Sequence, residues 1–304
     1  MSIAAMNKSN ALHAAKAYIG IPSHRNIDQN TAKADNMATI LRRSRQKEEA
    51  SLSRKVDRFC ETLHEKGVKA VVVNPNSITW GGNITAAVAK AYAMRAVRRG
   101  HLSNAAIRAY GIFNASRAPV EQKTERINLI YDALLRSGAG SRPLMEKYSL
   151  SALARDRIRG PWEVLSSLPG KGIPVFVATF EGDVVGSVLA QGLGASGYVS
   201  NVDVFQNGKL SGFHADMTTG RQKADGVERM LRAYGEETFG YPIKLSECAV
   251  IGGRKSDIAL TSEARLGIAS HTSVEVEMVH DIVLSSDGEL HEPGWIPSEY
   301  KRLS

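Results

Sequence analysis

The residues with the most chemical content stand in four short stretches. Asn74-Pro75-Asn76 closes the apolar run Ala70-Val71-Val72-Val73, and Thr179 and Glu181 close Ile173-Pro174-Val175-Phe176-Val177-Ala178. Lys223 opens Lys223-Ala224-Asp225-Gly226-Val227-Glu228-Arg229-Met230-Leu231, and Gly252-Gly253-Arg254-Lys255-Ser256-Asp257 follows Cys248-Ala249-Val250-Ile251. An amide donates and accepts hydrogen bonds, yet it carries no charge and exchanges no proton near neutral pH. It is a very poor nucleophile and no general acid or base. Asn74 and Asn76 are therefore suited to binding and orienting rather than to covalent chemistry. Thr179 offers a hydroxyl, Lys223, Arg254 and Lys255 offer positive charge, and Asp257 offers a carboxylate.

The elements that must position these groups read as alternating strands and helices. Short, unbroken apolar runs fit strands buried on both faces of a parallel sheet. Pro75 has no N–H for a ladder and stops the first of them. Ligand sites of open α/β sheets lie at such carboxyl ends. Further strands are expected at Tyr198 to Val204, at Leu266 to Ala269 and at Asp281 to Leu284, with a hairpin turn at Asn207-Gly208. Helices are expected from Val184 to Leu193 and from Lys223 to Tyr234. The fold class is α/β, a doubly wound, mostly parallel sheet.

Between the first and second strands, residues 83–161 carry almost no strand pattern. Helices are expected around Ile84 to Ala96, after a Ser103 cap, from Val120 to Leu135, and from Pro143 to Ile158 with a stop at Gly160-Pro161. About eighty residues exceed a simple crossover helix and imply an inserted helical cap. The domain division is then an N-terminal arm and helical extension (1–67), an α/β core (68–82 and 162–285), the cap (83–161) and an irregular C-terminal tail (286–304). In the extension, residues 31–66 form one long helix or two. Leu52, Val56, Phe59 and Leu63 mark its apolar face, and Gly67 its stop.

The chain has 304 residues and a net charge of +8, with 43% hydrophobic and 23% charged residues. That is an ordinary globular composition with a bias toward anionic partners. Cys60 and Cys248 are expected to be reduced core residues rather than a disulfide framework. No apolar run approaches the roughly 20 residues that span a bilayer, and no signal peptide is evident. A cytoplasmic location without membrane contact follows by default. The first 27 residues lack Asp and Glu, which leaves organelle targeting open. Arg42, Arg43, Arg45 and Lys47 form a basic cluster that suits a nucleic-acid or protein partner, or a solvated face balanced by Glu48 and Glu49.

The lysine-led stretch at Lys223, the Gly252 to Leu260 loop, the Asn207-Gly208 hairpin and the Leu266 strand resemble, in order, the haloacid dehalogenase superfamily. The resemblance is to its phosphoserine-phosphatase-like branch with a helical cap, over roughly residues 68–275. In active members the first strand ends in Asp-x-Asp-x-Thr. The first aspartate attacks phosphorus, and the second protonates the leaving oxygen. A Ser or Thr after the second strand and a lysine hold the phosphoryl group, and an acidic loop helps to hold Mg²⁺. The resemblance places Asn74 at the nucleophile and Asn76 at the acid/base. Thr179 (or Ala178, one residue earlier) takes the hydroxyl position and Lys223 the lysine. Gly253 takes the first loop aspartate and Asp257 the second.

Both nucleophile and acid/base are thus amides, and the two carboxylates expected around Mg²⁺ are reduced to Asp257. The resemblance implies a non-catalytic binding, structural or regulatory protein. Its pocket would hold a phosphorylated or other anionic ligand on Thr179, Lys223, Arg254 and Lys255. No cofactor is expected, and Mg²⁺ only if hydrolysis persists. Two alternatives stand beside it: a phosphomonoester hydrolase using Glu181 or Asp183 as a substitute acid, and a basic nucleic-acid or assembly-associated protein. His271, and the pair His214 and Asp216, are minor candidates near the site or for a metal.

Overall fold

A computed structural model describes residues 27–79, 84–117, 123–138, 140–270 and 274–293. The expected doubly wound sheet is present, with β1 (Ala70–Val73) at its centre. β2 (Val175–Gly182) and β5 (Cys248–Gly252) flank β1 in parallel, and β3 (Gly197–Gln206) and β6 (Leu266–Ser270) lie beyond them. β7 (Ile282–Leu284) continues the parallel set. β4 (Lys209–His214) and β8 (Leu290–His291) close the two edges antiparallel. The chain builds outward from β1 on one side and then crosses to β5 on the other. The carboxyl end of β1 is therefore the topological switch point, the place that favours a ligand crevice.

Every residue of β1 and β5 is buried, as uninterrupted apolar runs require. On one face Ala70, Val72, Phe176, Ala178, Cys248 and Val250 pack with Ala224, Val227 and Leu231 from α8 (Gly220–Phe239). Fixing α8 there places Lys223, one turn inside its start, under the strand ends. Thr219 caps α8 reciprocally with Gln222, so the helix begins three residues before the sequence expectation, at a capping-box site.

Among the described residues, five α-helices lie between β1 and β2: α2 (Ile84–Arg98), α3 (Leu102–Arg117), α4 (Lys123–Arg136), α5 (Arg142–Asp156) and α6 (Arg159–Ser167). Ser103 lies inside α3 rather than capping it. The expected stop at Gly160-Pro161 falls in the first turn of α6, where proline costs no hydrogen bond. The N-terminal helix α1 (Ile27–Glu65) is continuous, and Val56, Phe59 and Leu63 are buried as their spacing requires. The chain divides into two compact units, residues up to Ser53 and residues from Arg54 onward. The site lies in the second.

Two strand expectations need correction. β2 runs on to Gly182, so Thr179 and Glu181 lie within a fully buried strand and not in a loop after it. The short strand β8 falls in the stretch expected to be an irregular tail. The hairpin at Asn207-Gly208 is as expected, with φ of 50° and 73°, the positive values that a two-residue primed turn demands. Among the described residues, no helix is long and apolar enough to cross a membrane.

Candidate functional site

Three of the four chemical stretches are joined by hydrogen bonds at the carboxyl ends of β1 and β5, and the fourth borders them through Phe180, whose ring lies under Lys223 Nζ at 4.6 Å. Asn74 leaves β1 and turns into a short 3₁₀ segment, Pro75–Ser77. Asp257 ends a matching turn after β5, Lys255–Asp257. The Asn74 amide nitrogen reaches both carboxylate oxygens of Asp257, at 2.7 Å each. A carboxylate only accepts, so the atom facing it is the amide nitrogen. Lys223 Nζ donates to Asp257 Oδ1 at 2.5 Å, with both side chains fully buried. The backbone N–H groups of Gly253 and Arg254 donate to Asp257 Oδ2 at 3.2 Å. Asp257 is thus a single buried carboxylate ringed by donors, and Lys223 balances its charge. Such a pair tolerates burial because each charge is both countered and hydrogen-bonded.

The rest of Asn74 is also engaged. Its Oδ1 accepts from the Asn76 backbone N–H at 3.3 Å and from Asn76 Nδ2 at 3.4 Å. Thr79 Oγ1 donates to the Pro75 carbonyl at 3.2 Å and closes the turn. The loop after β5 is pressed against this turn. A Cβ on Gly253 would collide with the Ser270 carbonyl at the end of β6 and meet Ser77 Oγ at 3.1 Å.

These contacts bear directly on Mg²⁺. A magnesium site wants oxygen donors, usually one or two carboxylates, in octahedral array. Here Asn74 turns a nitrogen toward the one available carboxylate, and a lysine ammonium shares that carboxylate. The place of a second acid, at Gly253, is closed by backbone. Among the described residues there is no group of three or more His, Cys, Asp and Glu able to hold a metal. The residues present do not fit the ion.

Thr179 is buried on β2, and its Oγ1 accepts from the Glu181 backbone N–H at 3.2 Å. Arg254 is half-buried and Lys255 exposed. Lys223 is neutralised by Asp257, so positive charge left over for an outside anion rests on Arg254 and Lys255. Glu181 and Asp183, the substitute acids, have structural partners. Glu181 accepts from the Ile84 and Thr85 backbone N–H groups at 3.0 and 2.7 Å and from the Thr85 hydroxyl. It caps the start of α2 from across the chain, where a helix N-terminus favours negative charge. Asp183 opens α7 (Asp183–Leu193), accepts from the Asp203 N–H at 2.8 Å and pairs with Arg142 on α5. His214 and Asp216 are both exposed, and His271 and Trp295 lie outside the described residues.

A second buried polar cluster has no counterpart in the motif reading. Asp203 on β3 accepts from the Val184 N–H at 2.9 Å. The Tyr131 hydroxyl of α4 and the Asp203 carboxyl crowd the same point above Gly182, where a Cβ would strike both. Burial pushes the Asp203 carboxyl up to about 7, with Asp183 adding to the rise. Burial, then the neighbouring Asp203 charge, hold the Tyr131 hydroxyl well above its usual range. Asn201 ties β2 to the segment before α8, donating to the carbonyls of Phe180 and Met217 and accepting from the Met217 N–H. The one sequence signal for Asp203 was its acid in an otherwise strand-like run, Tyr198 to Phe205.

No family model and no curated protein matches the sequence. Solved structures do match in shape. A phosphoserine phosphatase, solved as a phospho-aspartyl intermediate analogue, superposes with a TM-score of 0.51 at 16% identity. It covers 73% of this chain and 95% of its own. A protein from Bordetella pertussis Tohama I, described as of unknown function, gives 0.52 at 16% identity, covering 70% and 94%. The α/β fold with its helical insertion is the haloacid dehalogenase fold. At this level of identity the likeness carries the architecture alone.

Proposed function

We propose that this chain, built on a haloacid dehalogenase fold, is a pseudo-phosphatase: a binding, structural or regulatory protein in place of a metal-dependent phosphoryl-transfer enzyme. The observation that carries the reading is the Asn74–Asp257 contact, an amide donating to both oxygens of a carboxylate at 2.7 Å. Where an active member needs a nucleophile and a metal between two acids, this chain has a neutral donor, a lysine and one acid. They complete one another without an ion. Asn76 exchanges no proton, and its backbone N–H and Nδ2 both donate to Asn74.

A phosphorylated or otherwise anionic ligand is the class that suits the loop after β5. Arg254 and Lys255 supply its charge, and no cofactor is required for binding. The use of Glu181 or Asp183 as a substitute acid is disfavoured by their roles in capping α2 and in pairing with Arg142.

The test is hydrolysis of p-nitrophenyl phosphate by the full chain with Mg²⁺, against an EDTA control. No magnesium-dependent turnover above buffer is expected. Turnover that EDTA removes, and that Asp257→Ala also removes, would overturn the reading.

A further inference from the structure

The helical insertion rests on the sheet through α4, which packs against β2 and β4, and this seam has a titratable centre. Tyr131 of α4 stacks on Phe213 of β4, with ring centroids 3.9 Å apart. Its hydroxyl adjoins the Asp203 carboxyl of β3 over Gly182. Phe213 is the register partner of Asp203, so ring and carboxyl share one face of the hairpin. Other contacts join insertion and core close by. Glu181 caps α2, Arg142 of α5 pairs with Asp183, and the Leu210 N–H donates to the Gly140 carbonyl at 2.7 Å.

Asp203 differs from its acidic neighbours in what answers its charge. Glu181 accepts from two backbone N–H groups and a hydroxyl, and Asp183 has Arg142. Asp203 is 6% exposed. Its Oδ2 takes the Val184 N–H, and among the described residues its Oδ1 and the Tyr131 hydroxyl have no partner but each other. The charged groups around it bring no compensation. Asp183 adds negative charge beside it, and Glu181 adds to the field at Tyr131. Arg142 faces Asp183, Glu146 and the Phe205 ring. Tyr198 of β3, itself held protonated by burial, offers no charge. On α4, Glu125 is exposed, Arg126 reaches the Ala115 carbonyl, and Asp132 pairs with Arg136. On β4, Lys209 is exposed at the hairpin, and His214, opposite Val202, alternates to the other face. A buried carboxylate with no cation favours its neutral form. Protonated, it donates to the Tyr131 hydroxyl oxygen, and both unanswered atoms gain a partner.

We infer that the Asp203 carboxyl and the Tyr131 hydroxyl form a proton-held latch, which fastens α4 of the insertion to β3 and lets it part from the sheet when Asp203 ionises. Opening brings the carboxyl to water, where the charged form is at ease. The closed state takes its proton near 7, against 3.8 for the unperturbed group. Closure is therefore fully supported below about pH 4, weakens as pH rises, and is weakest above about 7. The latch stands whether or not the strand-end site hydrolyses phosphate.

Hydrogen exchange of the full chain, followed by mass spectrometry at pH 5, 6, 7 and 8 and corrected for the intrinsic rate at each pH, tests it. Peptides within residues 123–136 should be less protected than those of β5 at every pH, because α4 opens without global unfolding. Their protection should fall about tenfold or more between pH 5 and 7 and change little above 7. In Asp203→Asn the fall should vanish. Protection of α4 equal to that of β5, protection of α4 that does not change with pH, or the same fall in Asp203→Asn would each overturn the proposal. If the variant does not fold, the wild-type profile decides alone.

Discussion

Asn74 is an aspartate in outline and a donor in chemistry, and the difference organises its surroundings. In Asn74→Asp two carboxylates would face each other at hydrogen-bond distance, with a single lysine between them. One of the two must then take a proton, so its folded pKa rises above the unfolded value. The variant should lose about 1–3 kcal/mol near neutral pH and recover stability as pH falls toward 4. Urea unfolding at several pH values checks it, and a loss that does not vary with pH would contradict the like-charge account. Asp203 makes the same argument in the native chain. Folded, it takes its proton near 7, against 3.8 when unperturbed. Between those values the folded state holds the extra proton. Its contribution is full below about pH 4 and is drained as pH rises through about 7. Asp203→Asn should flatten that slope, on the order of a few kcal/mol, relative to wild type. An unchanged pH–stability curve would show that the carboxyl is not buried as described.

At the scale of elements, three strand ends close on one another: the turn after β1, the loop after β5 and the end of β6. Gly253 is the contact point, with Ser270 and Ser77 against the place where a side chain would grow. Gly253→Asp, which restores an acid where the resemblance puts one, should therefore cost about 1–3 kcal/mol through overpacking. Its urea midpoint reports this directly, and an unshifted midpoint would mean the loop still has room for a metal ligand. Strand ends were legible in the sequence where apolar runs stop abruptly, at Asn74 and after Ile251. The continuation of β2 through Thr179 and Glu181 was not, since polar residues inside a buried strand look like a loop until their partners are known. Glu181 shows why: the helix it caps begins 97 residues earlier in the chain. Acidic residues at a helix start can be read locally, but a cap supplied from another strand cannot. The same holds for Asp203 and Tyr131, which spacing alone would never pair.

For the whole molecule, the alternation of strands and helices, the long helical stretch after β1 and a helix beginning near Lys223 were carried by pattern and period, while the order of strands in the sheet was not. What pattern could not carry was the sign of the pocket. Lys223, Arg254 and Lys255 suggested a cationic site, yet Lys223 is balanced by Asp257 and the centre is close to neutral. A motif counts charges, whereas a site depends on which charges face each other. The account rests on one claim, that Asn74, Lys223 and the backbone of Gly253 and Arg254 already satisfy Asp257 and leave no place for magnesium. Isothermal titration of the full chain with MgCl₂ tests it most directly. The account predicts no saturable heat at millimolar Mg²⁺. Saturable binding of one ion per chain, lost in Asp257→Ala, would contradict it.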